Sequence, residues 1–267
     1  MSTRFRFGLI GLCALLVGFA PPALAQDSDS IAIAPPPLAY PDYAEPGKKQ
    51  ERFTGTFITG SVGDIDLTGL GISLSSRAIL PPAETGEGRA LGISTGVFVL
   101  EGSSDTVDLS AVNVALGGNF EAEVFKQEGN NGILFVGPLF TFGYTGVSAP
   151  GFTADTTMFL LGFQVGGQVS IAAGDYKVSP WVSYSQQSGD ADTTVSTPFG
   201  TTTTTTSIEI VTTSYGFDVL HLQSGLTLSG IMQAGSGDSD SDLLILQLSY
   251  SYGDGTATAT DVSMKRQ

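Results

Sequence analysis

The sequence predicts an all-β protein, an antiparallel up-and-down barrel of about ten strands, with about eight to twelve as the bounds. Three observations predict it. Apolar residues recur at every second position through ten separate segments, the period of a strand with two unlike faces. Breaks rich in Gly, Asp and Ser separate those segments. From residue 53 onward Thr, Val, Ile, Phe, Tyr, Gly and Ser dominate, and the Ala, Glu, Lys and Leu runs that favour helix are absent.

Two segments precede the first strand. Residues 1–25 read as a secretory signal peptide. Arg4 and Arg6 form its basic start, residues 7–20 carry no charge, and Ala23 and Ala25 place small residues before a cleavage at Gln26. The apolar run is shorter than the roughly 20 residues of a spanning helix. Residues 26–50 hold Pro35, Pro36, Pro37, Pro41 and Pro46 without apolar period, and read as an extended periplasmic linker.

The strands are expected near 53–62, 65–75, 89–101, 106–126, 132–146, 156–172, 175–188, 206–219, 225–234 and 242–252. Only Gly63 and Asp64 separate the first two, which leaves one bent strand, or a position outside the barrel, as alternatives to two barrel strands. In the fourth, Val112, Val114, Leu116, Phe120 and Val124 oppose Asn113, Asn119, Glu121 and Glu123. In the fifth, Leu134, Val136, Phe140, Phe142 and Tyr144 share a face with Pro138. In the sixth, Phe159, Leu161, Phe163 and Val165 oppose Gln164 and Gln168. The seventh sets Tyr176, Val178, Val182 and Tyr184 against Lys177, Ser179, Trp181 and Ser183. Pro138 and Pro180 lack an N–H, so each predicts a bulge, a bend or a break. In the last, Leu244, Leu246, Leu248, Tyr250 and Tyr252 alternate with Gln247, Ser249 and Ser251. Residues 253–267 form a tail, in which 256–262 could pair as a further strand.

The composition of the two faces says what each one meets. A soluble sheet shows Lys, Glu, Asp and Arg to water. Here the polar faces carry mostly Ser, Thr, Gly, Gln and Asn, as a crowded lumen would. The apolar faces end in aromatics, as a lipid-facing band with aromatic girdles does. Phe140, Phe142, Tyr144, Tyr176, Tyr184, Leu246, Leu248, Tyr250 and Tyr252 are therefore expected to face lipid. Glu121, Glu123, Lys177 and Trp181 are expected to face the lumen. Breaks near the C-terminus alternate long (235–241), short (220–224), long (189–205), short (173–174) and long (147–155), as in a barrel with both termini in the periplasm.

On these features the chain resembles the small Gram-negative outer-membrane β-barrel proteins over residues 51–252. The resemblance implies an outer-membrane location, contact with membrane lipid and lipopolysaccharide, and delivery by the barrel-insertion machinery. That family ends its last strand on an aromatic, and Tyr250-Ser251-Tyr252 looks like that ending, although 15 residues follow it.

The chemistry on offer is sparse. The single cysteine, Cys13, lies in the leader, so no disulfide or zinc-thiolate site forms in the processed chain. Losing Arg4 and Arg6 with the leader takes the formal net charge from −15 to −17, the opposite of a nucleic-acid footprint. The lone histidine, His221, falls at a short turn with Asp218 on the other strand face, and no serine sits in a nucleophile elbow. Glu121 and Glu123 are read as lining a cation path or pairing with Lys177. Gly117-Gly118 and Gly166-Gly167 fit no phosphate-binding loop. Asp238, Asp240 and Asp242 alternate in the last outer loop and form a weak calcium candidate, without the glutamate of an EF-hand. No cofactor is expected beyond weakly bound surface divalent cations. The tract 201–206 is six threonines, read as a solvated outer loop or as a strand carried above the membrane.

The sequence thus points to an integral barrel with a structural or surface-interaction role. A narrow cation-preferring pore, a barrel hydrolase and a secreted soluble β-protein stand as alternatives. The pore reading rests on inward Gly and Ser leaving room in the lumen. The oligomeric state is not written in the sequence.

Overall fold

The computed structural model describes residues 47–62, 65–81, 88–104, 107–127, 130–237 and 241–252. The leader, nearly all of the Pro-rich segment and the tail after Tyr252, including the expected strand at 256–262, lie outside the described residues. Among the described residues there are ten strands: β1 (Lys49–Val62), β2 (Ile65–Leu80), β3 (Arg89–Ser103), β4 (Asp108–Gln127), β5 (Asn130–Ala149), β6 (Phe152–Ala173), β7 (Tyr176–Thr197), β8 (Gly200–His221), β9 (Leu226–Gly237) and β10 (Ser241–Tyr252). Each pairs antiparallel with its chain neighbours, and β1 pairs with β10, so the sheet closes in up-and-down order. The first two segments are neither one bent strand nor outside the barrel. They are a hairpin, and β1 is the strand that closes the cylinder.

The register sets the shape. Stepping from partner to partner from Lys49 through Ala78, Leu91, Phe120, Val136, Val165, Tyr184, Thr213, Ala234 and Asp242, the ladder returns to β1 at Ser61, 12 residues further along. That stagger over ten strands tilts them by roughly 40°. Lys49 and Tyr252 share one end of the barrel, the terminal end. The opposite end is the far end.

Pro138 and Pro180 are accommodated without a bulge. Pairing of β5 with β4 runs from Leu139 to Val136 with the register unchanged on either side of the proline. Pairing of β7 with β6 likewise resumes at Trp181 from Val178. Each proline turns its missing donor toward one neighbour and omits two ladder pairs there. The register shift lies elsewhere, between Glu123 and Phe125.

Two expected long loops are strands instead. Residues 147–155 close as a tight turn at Gly151 (φ 91°), with Ala149 paired to Phe152. Residues 189–205 continue β7 and β8 to the pair Thr197–Gly200. Thr and Ser fill this ribbon, and cross-strand hydroxyl contacts hold it, at 3.0 Å between Thr194 and Thr203 and 3.3 Å between Ser196 and Thr201. Branched threonines favour strand, but an all-threonine tract has no apolar alternation to announce one. The wall is therefore uneven. β6, β7 and β8 have 22 residues each, whereas β9 and β10 have 12. β9 pairs with β8 only from Ile210 to Leu220, so residues 200–209 rise beyond it by roughly 25 Å at this tilt, with β7 beside them.

Candidate functional site

Alternation puts every second side chain inside, and the register decides which of these meet. At the terminal end the inward positions are polar and charged. Gln50 and Arg52 come from β1, Arg77 from β2, Asn119, Glu121 and Glu123 from β4, Asn131 from β5, Lys177 from β7 and Asp218 from β8, and all are buried. Arg77 Nη2 lies 3.0 Å from Glu121 Oε2, with side chains 0% and 1% exposed. Arg77 Nη1 donates to Gln50 Oε1 at 3.2 Å, and Asn119 Nδ2 donates to Glu121 Oε1 at 2.9 Å. Glu123 accepts from Asn131 Nδ2 at 3.2 Å and from the Gly88 N–H at 3.1 Å. Arg52 Nε donates to Ser251 Oγ at 3.3 Å. Asp218 faces Arg52 and accepts from Ser229 and Trp181. Glu121 thus pairs with an arginine, where the sequence suggested Lys177, because Arg77 continues the inward row of β2 past the point at which that strand was expected to end.

Above this tier hydroxyls and amides bridge the wall. Thr54 meets Ser249 at 2.9 Å and Gln247 donates to Thr56 at 3.3 Å, while Ser170 meets Ser179 at 2.9 Å within the tier itself, beside Asn131 and Asp218. Beyond them the lumen turns apolar. Ile58, Leu67, Phe98, Leu100, Ile231, Leu243 and Ile245 pack together, and Trp181 joins the cluster from below. A second cluster of Met158, Leu160, Ala191, Ile208 and Ile210 lines the taller wall.

Four of the inward glycines, Gly71, Gly96, Gly166 and Gly216, lie against large side chains. They seat large neighbours. A Cβ on Gly71 would come within 2.3 Å of the Phe98 ring, and one on Gly96 within 2.9 Å of it. Gly166 lies under Phe135 at 2.3 Å and Gly216 under Trp181 at 3.0 Å by the same measure. Each glycine is the hollow for an aromatic of an adjacent strand or of its own.

The outward positions form an apolar belt. On β10, Leu244, Leu246, Leu248, Tyr250 and Tyr252 are 39–59% exposed, a height of roughly 20–25 Å at this tilt. Phe140, Phe142, Tyr144, Tyr176 and Tyr184 also point outward. Tyr250 and Tyr252 stack at 6.2 Å along the terminal edge, and Tyr144 donates to Asp155 at 2.6 Å along the far edge.

Charge is divided between the two ends. Every Lys and Arg among the described residues (Lys48, Lys49, Arg52, Arg77, Arg89, Lys126, Lys177) lies at the terminal end. At or beyond the far edge of the belt, exposed outward-facing carboxylates ring the barrel: Asp66, Glu101, Asp108, Asp155, Asp190, Asp192, Glu209 and Asp242. Four of them, Asp66, Glu101, Asp108 and Asp155, line a shallow outer concavity of about 830 Å³. Of the calcium candidates, Asp242 is exposed on the outer face, whereas Asp238 and Asp240 lie outside the described residues. Among the described residues no group of three or more His, Cys, Asp or Glu is placed to hold a metal.

His221 ends β8 on the outer face at the terminal end. Its Nδ1 lies 2.8 Å from Ser224 Oγ, and its ring is tilted against Tyr176 at 5.0 Å. Asp218 points into the lumen, so these residues do not form a nucleophile, base and acid in one place.

No family model and no curated protein matches the chain. Among solved structures it is similar to the outer membrane protease OmpT from Escherichia coli, at 10% identity and a TM-score of 0.52, covering 79% of this chain and 98% of that one. It is also similar to the translocator domain of the autotransporter NalP from Neisseria meningitidis, at 11% identity and a TM-score of 0.49, over 78% of this chain and 90% of that one. At these identities the likeness is one of fold, a closed antiparallel barrel.

Proposed function

We propose that this chain is an integral outer-membrane barrel that does not conduct, and that its role is to present a hydroxyl-rich, acidic surface above the membrane. The observation that carries this reading is the division of the side chains. Large apolar residues occupy the outer belt, and the lumen behind them is filled by an ionic tier below and an apolar plug above. Water would exact a large cost for so many exposed Leu, Ile, Val and Phe side chains, and hydrocarbon would not. A closed barrel satisfies its backbone in hydrocarbon, which an open sheet cannot do.

The orientation follows from the wall. The short terminal end, which carries the bases, faces the periplasm, and the tall Thr-rich ribbon faces outward with the ring of carboxylates. Lipid and lipopolysaccharide cover the belt. The experiment refolds the full chain into detergent micelles and planar bilayers. Boiling should change the gel mobility of the folded form, and the bilayer should show no discrete channels. A mobility indifferent to boiling removes the closed membrane barrel, whereas step conductances of the untreated protein remove the sealed lumen.

A further inference from the structure

We propose that the open edge of β8, residues 200–209, is a strand-addition site for an extended, basic, β-branched segment of another protein. The proposal rests on the surface-presenting reading above and names its partner.

The edge is long and unguarded. β7 covers one side of residues 200–209 through an unbroken ladder, and among the described residues no strand covers the other, since β9 meets β8 only from Ile210. Residues 200–207 are exposed. An uncovered strand presents a row of unpaired N–H and C=O groups to any passing chain. Proteins usually blunt such edges with Lys, Pro, a bulge or brevity. Here the edge reads GTTTTTTSIE, with no Lys, no Pro and no register shift along it.

The ladder also says which groups are free. Thr197 and Gly200 close a two-residue hairpin, and in such a hairpin the closing pair bonds to each other. Odd-numbered residues from Thr201 to Glu209 therefore turn their backbone groups to the open side, and even-numbered ones turn them to β7.

The chemistry of the occupant follows from the neighbours. Thr202, Thr204 and Thr206 lie on one face and Thr201, Thr203 and Thr205 on the other, so the partner is flanked on both faces by branched hydroxyls. β-branched residues pack well beside these. Glu209 stands on the edge itself, with Asp190 and Asp192 one strand behind it on the same face. Asp192 and Asp190 accept from Thr205 and Ser207 at 2.6 and 2.9 Å. No Lys or Arg among the described residues lies at this end, so a Lys or Arg on the incoming strand meets a row of carboxylates. A second copy of the chain fits less well. Two copies in one membrane are related by an axis along the barrel, which sets their β8 edges parallel and brings Glu209 beside Glu209.

The test uses the full chain in detergent micelles and fluorescence anisotropy of a labelled decapeptide that alternates Val and Thr around one central Lys. Saturable binding is expected. It should weaken about tenfold in the variant carrying Thr203→Pro and Thr205→Pro, which deletes two edge donors and leaves the β7 ladder whole. Replacing the peptide's Lys by Glu should weaken it as well. A peptide N-methylated at alternate residues should not bind the unaltered protein, which reads backbone pairing even if the proline variant misfolds. Absence of binding, or equal binding of the N-methylated peptide, overturns the proposal. So does self-association of the peptide-free protein that the two prolines abolish, since the occupant is then a second copy. Boiling-dependent gel mobility is read on the same samples. Its loss removes the membrane barrel, whereas its retention without peptide binding removes strand addition alone.

Discussion

Removing Glu121 while keeping Arg77 should destabilise the barrel by about 3–5 kcal/mol, and removing both should restore most of that loss. The two charges lie 3.0 Å apart, with side chains 0% and 1% exposed. At an effective dielectric of about 20 the attraction is about 5 kcal/mol. Burying each ion costs several kcal/mol, so the intact pair lies near balance against an apolar replacement. Glu121→Ala upsets that balance. It leaves a fully buried guanidinium whose bond to Gln50 survives, and it takes an acceptor from Asn119. Arg77→Met with Glu121→Leu removes both charges and the cost of burying them. The assay is urea unfolding of the refolded protein followed by tryptophan emission. Trp181 is the sole tryptophan and lies inside the lumen, so it reports the opening of the barrel. A single-variant loss below about 1 kcal/mol, or a double variant as damaged as the sum of the singles, would refute the buried pair.

Two further perturbations test the outer belt and the plug. Leu248 is the middle outward residue of β10 between Leu244 and Tyr252, so Leu248→Arg should cost about 2–4 kcal/mol in liposome refolding and Tyr252→Arg about 0–1 kcal/mol. Equal costs would show that the belt does not span hydrocarbon. Gly71→Val should cost about 1–3 kcal/mol because its Cβ meets the Phe98 ring, which is fully buried and has nowhere to go. Pairing it with Phe98→Leu should return part of that loss in the same unfolding measurement, and no rescue would mean that the glycine matters for another reason.

Strand number and facing were legible because alternation survives in each segment by itself. The outward row of β10 can be read from LLILQLSYSY alone. What could not be read were features made by several strands at once. The plug joins Ile58, Leu67, Phe98, Ile231 and Leu243 from five strands, and only the 12-residue stagger brings them to one level. A single segment does not show its stagger, so glycines that look like empty space turn out to be seats for Phe98 and Trp181. Arg77 was missed for a local reason. The second strand was expected to end at residue 75, yet the inward row Ser73, Ser75, Arg77, Ile79 continues in step to Leu80. The threonine tract was left open between a loop and a strand carried further, since both its faces are solvated and no contrast marks them; the structure shows the strand.

The β7–β8 ladder runs without a skipped partner from the pair Thr197–Gly200 at one extreme of the molecule to the pair Tyr176–His221 at the other. Mechanically this is a single spar embedded in the wall and free at one tip. A pull on the tip is borne in shear by the whole row of ladder bonds acting together. Tension applied at the tip is then carried along the spar to the turn at Ser224, at the terminal end of the barrel.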